Sequence, residues 1–183
     1  MTAAAPVRWR PGDATRDTRA MVRVDQAGEY GATRIYAGQL AVMGDRTPAA
    51  RKIAGMAIQE ERHRVFFDEM TARRGVRPTL LQPFWHVAGF ALGAVTAALS
   101  PEAAMACTVA VETEIDKHYA EQRTALGAVD PELSAAVADF QAEEIEHRET
   151  ARAAGAERIL GYPILAGLIG LGCRVAIATA KRI

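Results

Sequence analysis

Four glutamates and two histidines stand in this sequence at a spacing that suits metal chemistry. Glu60 and His63 form one Glu-x-x-His unit and Glu144 and His147 a second, and each unit is preceded by a solitary acid, Glu29 or Glu112. The order is therefore Glu, Glu-x-x-His, Glu, Glu-x-x-His, with Glu60 at a spacing of 31 from Glu29 and Glu144 at a spacing of 32 from Glu112. On a helix, residues three and four apart share a face. Glu60 and His63 fall on a stripe with Ile53, Met56, Phe67 and Met70, and Glu144 and His147 on one with Leu133, Val137, Phe140 and Ala151. Glu29 joins Val22, Ala32, Tyr36 and Leu40, and Glu112 joins Met105, Ile115 and Tyr119. All six polar groups are thus expected to face a core.

Four core-facing carboxylates without counter-charge cost several kcal/mol each or stay protonated. The four stripes contain no Lys or Arg, so side-chain ion pairs do not offer the remedy. Two divalent cations supply the missing positive charge and leave both imidazoles neutral. Oxygen donors with one nitrogen per ion favour iron or manganese over zinc in a thiolate site or calcium in an all-oxygen loop. This ligand set is the one known for ferritin-like carboxylate bundles.

The competing reading of any one of these residues is a solvated helix face with ion pairs to Arg64 or Arg148. Glu61, Glu143, Glu146 and Glu149 lie off the stripes and are expected in water. Asp25 and Asp116, one turn from Glu29 and Glu112, suit either a role behind the histidines or a place on the surface. His86 receives no role.

The elements that must carry the stripes are helices. Strand signals are nearly absent, and Ala-, Glu- and Arg-rich windows run at helical period. Gly, Pro and capping residues predict bundle helices over 16–43, 48–74, 100–126 and 130–154. Two further segments, 84–99 and 159–181, begin with uncharged runs, Phe84 to Leu99 and Ile159 to Cys173, each short of the ~20 residues a perpendicular span needs. Flanking Arg73, Arg74, Arg77 and Arg182 suit an anionic lipid surface, so these segments are expected to lie against a membrane. The fold class is all-α, a four-helix bundle with two added apolar helices, and 183 residues at 50% hydrophobic and 24% charged make one domain, 1–183.

Composition excludes other classes. Twenty-two basic and 22 acidic residues cancel, which argues against a nucleic-acid partner. Cys107 and Cys173, 66 residues apart, form neither a disulfide framework nor a thiolate site, so a reducing compartment is expected. Met1 to Asp17 lacks the apolar run of a secretory leader.

The run from Arg23 to Tyr36, RVDQAGEYGATRIY, the E-x-x-H at Glu60, CTVAVETEIDKHY from Cys107 and EEIEH from Glu143 together resemble the demethoxyubiquinone hydroxylases of ubiquinone biosynthesis. The resemblance covers nearly the whole chain, with Gln26 standing where many relatives carry His. It implies that Glu29, Glu60, His63, Glu112, Glu144 and His147 bind two irons, and we expect Glu60 and Glu144 to bridge them, with Glu29 and Glu112 terminal. It implies an O2-dependent monooxygenase that hydroxylates the ring of a 2-polyprenyl-6-methoxy-3-methyl-benzoquinol, on the cytoplasmic face of a bacterial inner membrane. Tyr119, with His118, is implied as a quinone contact or electron relay. NADH is the implied electron source, although no G-x-G-x-x-G after a strand marks a site for it. Gly161, Gly167, Gly170 and Gly172 permit close packing with a second copy as readily as lipid contact, and other ubiquinone-biosynthesis proteins are further implied partners.

Two alternatives stay open. A ferritin- or rubrerythrin-like iron oxidase or peroxidase shares the six ligands but has no need of the apolar segments. A metal-free helical membrane scaffold would keep the buried acids protonated.

Overall fold

Proline fixes where three of the long helices begin. Pro48, Pro101 and Pro131 take the first helical turn, where a missing N–H costs nothing, and the side chain before each caps the helix. Thr47 Oγ1 accepts from Ala50 N at 3.0 Å, Ser100 Oγ from Ala103 N at 3.0 Å and Asp130 Oδ1 from Leu133 N at 3.1 Å. In the computed structural model, which describes residues 18–45 and 47–183, the chain forms α1 (Thr18–Met43), α2 (Pro48–Arg73), α3 (Gln82–Leu99), α4 (Pro101–Leu126), α5 (Pro131–Ala153) and α6 (Tyr162–Ala180). A short 3-10 turn, Ala156–Arg158, precedes α6, and no strand occurs among the described residues. Positions 16 and 17 of the first expected helix, and the expectation about a leader in Met1 to Asp17, lie outside the described residues.

The four expected bundle helices are α1, α2, α4 and α5, with ends within a residue or two of expectation wherever they are described. α6 departs further: it starts at Tyr162 rather than Ile159, because Gly161 adopts a left-handed φ of 82° that turns the chain first. It also extends past Arg174, so that its 19 residues are long and apolar enough, by length and composition, to cross a membrane. Its end at Ala180 lies within a residue of the expected 181.

The core is divided along the bundle axis. At one end Tyr36, Ile53, Met56, Met105 and Ala151 pack together, and at the other Val22, Phe67, Met70, Leu126 and Phe140 do so. Each bundle helix passes from one cluster to the other, and the predicted ligands lie on the intervening turns. Apolar plugs thus close both ends of the polar layer.

α3 lies along α1 in backbone contact. A Cβ on Gly93 would fall 1.9 Å from Ile35 O, and one on Gly38 would fall 2.1 Å from Phe90 O, so glycine is required at both crossings. The opposite face of α3 exposes Phe84, Val87, Val95 and Leu99, and α6 exposes Ile164, Leu168, Leu171 and Val175. α6 is tied to the bundle by Arg174, whose Nη1 donates to Glu114 Oε1 on α4 at 2.9 Å.

A candidate dinuclear metal centre

Each of the six predicted ligands is at most 4% exposed. The folding of α1, α2, α4 and α5 brings them together as two overlapping groups, Glu29, Glu60, His63 and Glu144, and Glu60, Glu112, Glu144 and His147. Within each group one donor atom per residue lies within 4.8 Å of all the others. Glu60 and Glu144 belong to both groups, whereas Glu29 and Glu112 belong to one each. The surface alternative is absent here, for Arg64 pairs with Glu61 and Asp68, and Arg148 with Asp116 and Glu149.

The histidines face the carboxylates through Nδ1. His63 Nδ1 is 3.0 Å from Glu144 Oε1 and 3.4 Å from Glu29 Oε2; His147 Nδ1 is 3.0 Å from Glu144 Oε2 and 3.2 Å from Glu60 Oε1. Nε2 of each ring turns outward, to Glu143 Oε2 at 2.9 Å for His63 and to Gln59 Oε1 at 2.8 Å for His147. An acceptor on Nε2 fixes the proton there and leaves the Nδ1 lone pair free to ligate.

Electrostatics tests whether a cation suits the site. Burial, reinforced by Glu144 and other neighbouring carboxylates, pushes Glu60 and Glu112 well above the ordinary carboxylate range, and burial raises Glu29 as well. Burial also opposes charge on Glu144, but His147 and His63 outweigh it and hold that acid down to about 2. For His63 burial disfavours the imidazolium, yet Glu144 and Glu29 push its pKa up to about 10. Among the described residues no Lys or Arg is buried in the layer. Both oxygens of Glu60 and Nδ1 of His63 are buried without a well-directed hydrogen bond, their close neighbours being only the other groups of the layer, a costly arrangement for polar atoms. Orphaned donors that converge on common points, in a layer with excess acid, fit a pair of divalent cations.

Two tyrosines complete the layer by a reciprocal exchange. Tyr119 on α4 donates to Glu29 Oε1 on α1, and Tyr36 on α1 donates to Glu112 Oε1 on α4 at 3.0 Å. Each lies seven residues after the acid of its own helix and serves the acid of the other. Sequence reasoning singled out Tyr119 and left Tyr36 as core, although the matching offset was the available signal. His118 is 8% exposed and its Nε2 is 3.1 Å from Asp25 Oδ1, whose other oxygen accepts from Gln122 at 2.7 Å.

Several outer residues differ from expectation. Asp25 faces His118 rather than either ligand histidine, and Asp116 accepts from Arg148 and Gln141, each at 2.6 Å. Glu143, expected in water, is half-buried against His63 because it sits one residue before Glu144 and is turned toward α2. Gln59 does the same for His147 and was not anticipated. Glu61, Glu146 and Glu149 are exposed, as expected. Gln26 is buried and donates to Asp68 at 2.9 Å, away from the ligands. His86 joins α3 to α1 through Tyr30 at 2.6 Å.

Beside the layer lies an apolar cavity of about 750 Å³ between α1, α3, α4 and α6, lined by residues that include Ile35, Trp85, Leu92, Leu168 and Ile169. Gly28 and Ala32, which flank Glu29, and Val111 and Ile115, which flank Glu112, also line it. One wall of the cavity is therefore the outer side of two ligand-bearing helices.

The chain is similar to known proteins over most of its length. A family model described as "Ubiquinone biosynthesis protein COQ7" matches residues 16–180. The chain is 50% identical to the 3-demethoxyubiquinol 3-hydroxylase of Rhodospirillum rubrum over 162 residues, 88% of this chain and 76% of the relative. It is 46% identical over 187 residues to the mitochondrial NADPH-dependent 3-demethoxyubiquinone 3-hydroxylase of Homo sapiens, covering 97% of this chain and 86% of the relative. It is 40% identical over 179 residues to the mitochondrial 5-demethoxyubiquinone hydroxylase of Saccharomyces cerevisiae, covering 89% and 77%. The human relative's name specifies NADPH where the sequence reading expected NADH. With an all-helical, ferritin-like fold, a match spanning nearly its whole length and relatives of this similarity, the chain belongs to the family of ubiquinone biosynthesis protein COQ7.

Proposed function

We propose that this chain is an O2-dependent monooxygenase that hydroxylates the ring of a demethoxyubiquinol, 2-polyprenyl-6-methoxy-3-methyl-benzoquinol, in ubiquinone biosynthesis. The observation that carries the proposal is the sharing of Glu60 and Glu144 between two ligand groups beside an apolar cavity. Glu29 and His63 would hold one iron, Glu112 and His147 the other, with Glu60 and Glu144 common to both. When bound, such a pair supplies reductive activation of O2, one oxygen atom entering the quinol ring and the other leaving as water.

The chain's own residues supply the remainder. The apolar plugs at both ends of the layer exclude water from the acids, which keeps them from being screened. Tyr119 holds a proton at Glu29 Oε1 and Tyr36 one at Glu112 Oε1, which orients both terminal carboxylates. Tyr119 also abuts His118, with ring centroids 5.9 Å apart, so this pair is the proposed quinone contact or electron relay. The cavity receives the polyprenyl substituent: its lining is almost wholly apolar, and a hydrocarbon chain gains about 25 cal/mol for each Å² removed from water.

The exposed apolar faces of α3 and α6 support a cavity mouth that opens to a lipid surface, and we assign the protein to the cytoplasmic face of a bacterial inner membrane as a peripheral, single-domain protein spanning 1–183. α6 lies on the membrane in this reading, because Arg174 anchors its middle to Glu114. Electrons come from a reduced nicotinamide. A second copy, or another protein of the same pathway, is a partner consistent with the same apolar faces.

The test is product formation by the purified chain in lipid vesicles with ferrous iron, O2, a nicotinamide reductant and a demethoxyubiquinol. Hydroxylated product carrying oxygen from labelled O2 is expected. Iron oxidation or peroxide reduction without that product would instead support an oxidase or peroxidase.

A further inference from the structure

Gln59 and Glu143 occupy equivalent positions in the internal repeat, each one residue before the glutamate of a Glu-x-x-His unit. Each crosses to the histidine of the other unit. Glu143 on α5 accepts from His63 Nε2 at 2.9 Å, and Gln59 on α2 accepts from His147 Nε2 at 2.8 Å. The contacts are alike in geometry and unlike in charge.

That difference has a chemical consequence. A carboxylate acceptor makes a hydrogen bond roughly twice as strong as a neutral amide does. It draws the Nε2 proton outward and raises the electron density that the ring offers through Nδ1. His63 is therefore the stronger donor of the two. Arg62, itself more than half exposed, holds both oxygens of Glu143 and sets their direction toward His63. Arg62 stands two residues after Glu60; at the matching place after Glu144 the chain has an acid, Glu146. A carboxylate at position 59 would therefore face an acid, Glu146, at the place equivalent to Arg62, whereas the amide needs no arginine.

We propose that Glu143 and Gln59 are positioning residues that make the two ion sites unequal, so that the site of Glu29 and His63 holds its ion more tightly than the site of Glu112 and His147. This rests on the dinuclear reading above.

The experiment is an anaerobic titration of the metal-free full-length chain with ferrous iron, followed by Mössbauer spectra of the loaded protein. Glu143→Gln and Gln59→Glu are chosen because each keeps an acceptor of the same shape, and circular dichroism checks that both fold. The wild-type chain is expected to bind in two steps separated by about tenfold or more and to give two distinct ferrous doublets. Glu143→Gln should weaken the tighter step by about tenfold, leave the other within about twofold, and bring the doublets together. Gln59→Glu should tighten the weaker step alone. Wild-type steps of equal affinity, or a Glu143→Gln change that leaves both steps unmoved or weakens both alike, would overturn the inequality while the dinuclear centre stood. A wild-type chain that takes up no iron would overturn the centre and this inference together.

Discussion

The acidic layer between the bundle helices and the apolar flank formed by α3 and α6 break the usual rules of protein burial in opposite directions. In the layer, four carboxylates and two imidazoles are withdrawn from water with no basic side chain among them. On the flank, Phe84, Val87, Leu168 and Leu171 are turned toward water with no protein to cover them. Each region would be costly in an ordinary soluble bundle, and each names its missing partner by chemistry: divalent cations for the first, lipid or a lipid-like tail for the second. They share a wall in α1 and α4, so the proposed ion-binding layer and the apolar cavity meet across two helices.

The strongest break in this comparison removes a shared acid. Glu60→Gln leaves each ligand group one carboxylate short. Iron content should fall from two per chain to less than one, and product formation by at least about a hundredfold, measured by metal analysis and turnover. The same change should stabilise the metal-free chain, because it removes a buried acid that has no well-directed hydrogen bond. A single variant thus separates the layer's cost from its use.

The flank depends on close helix contact rather than on charge. Gly93→Ala drives a methyl group into the Ile35 carbonyl. Overpacking of this kind costs about 1–3 kcal/mol, which lowers the melting temperature by roughly 2–12 °C in a chain of this size. Thermal melting reads it directly. An unchanged Tm would mean that α3 does not sit against α1 at backbone distance.

Leu168→Asp tests the outward face of α6, where the side chain is 65% exposed. Binding to anionic vesicles should weaken by about tenfold, with iron content unchanged. Equal vesicle binding by the variant would remove lipid as the occupant of that face.

The acidic layer also gives the stability of the chain a pH dependence whose sign depends on bound ions. In the metal-free chain the folded state raises the pKa of Glu60 and Glu112 by burial, and that of His63 to about 10 through Glu144 and Glu29 against the opposing effect of burial. Groups of this kind bind more protons folded than unfolded, so their contribution grows as pH falls. For His63 it is complete below the unfolded value of about 6.5 and is lost as pH rises toward 10. The metal-free chain should therefore melt at a higher temperature at pH 6.5 than at pH 8. The iron-loaded chain should show the reverse, since protons compete with ions for the same lone pairs. Differential scanning calorimetry of both forms measures the two slopes.

Much of this was legible in the residues because two periodicities coincide. Apolar stripes at helical spacing marked α1, α2, α4 and α5, and polar groups that interrupt such a stripe, as Glu60 and His63 do between Met56 and Phe67, could point only inward. The outer contacts were not legible for a related reason. Glu143 lies off the stripe by one residue, and whether such a residue meets water or a neighbouring helix depends on how α5 is turned against α2, which a single helix does not encode. Tyr36 was hidden differently: a tyrosine on an apolar stripe reads as packing, and only its match to Tyr119 across the repeat reveals the acid it serves. Nor did the uncharged run from Ile159 disclose where α6 starts, because nothing in it shows that Gly161 turns the chain before the helix begins.

The central claim is that the six side chains gather two ions. Crystals of the iron-loaded chain, measured at the iron absorption edge, should show two anomalous peaks flanked by Glu60 and Glu144, one beside His63 and the other beside His147. A single peak, or iron bound only away from these residues, would contradict the account.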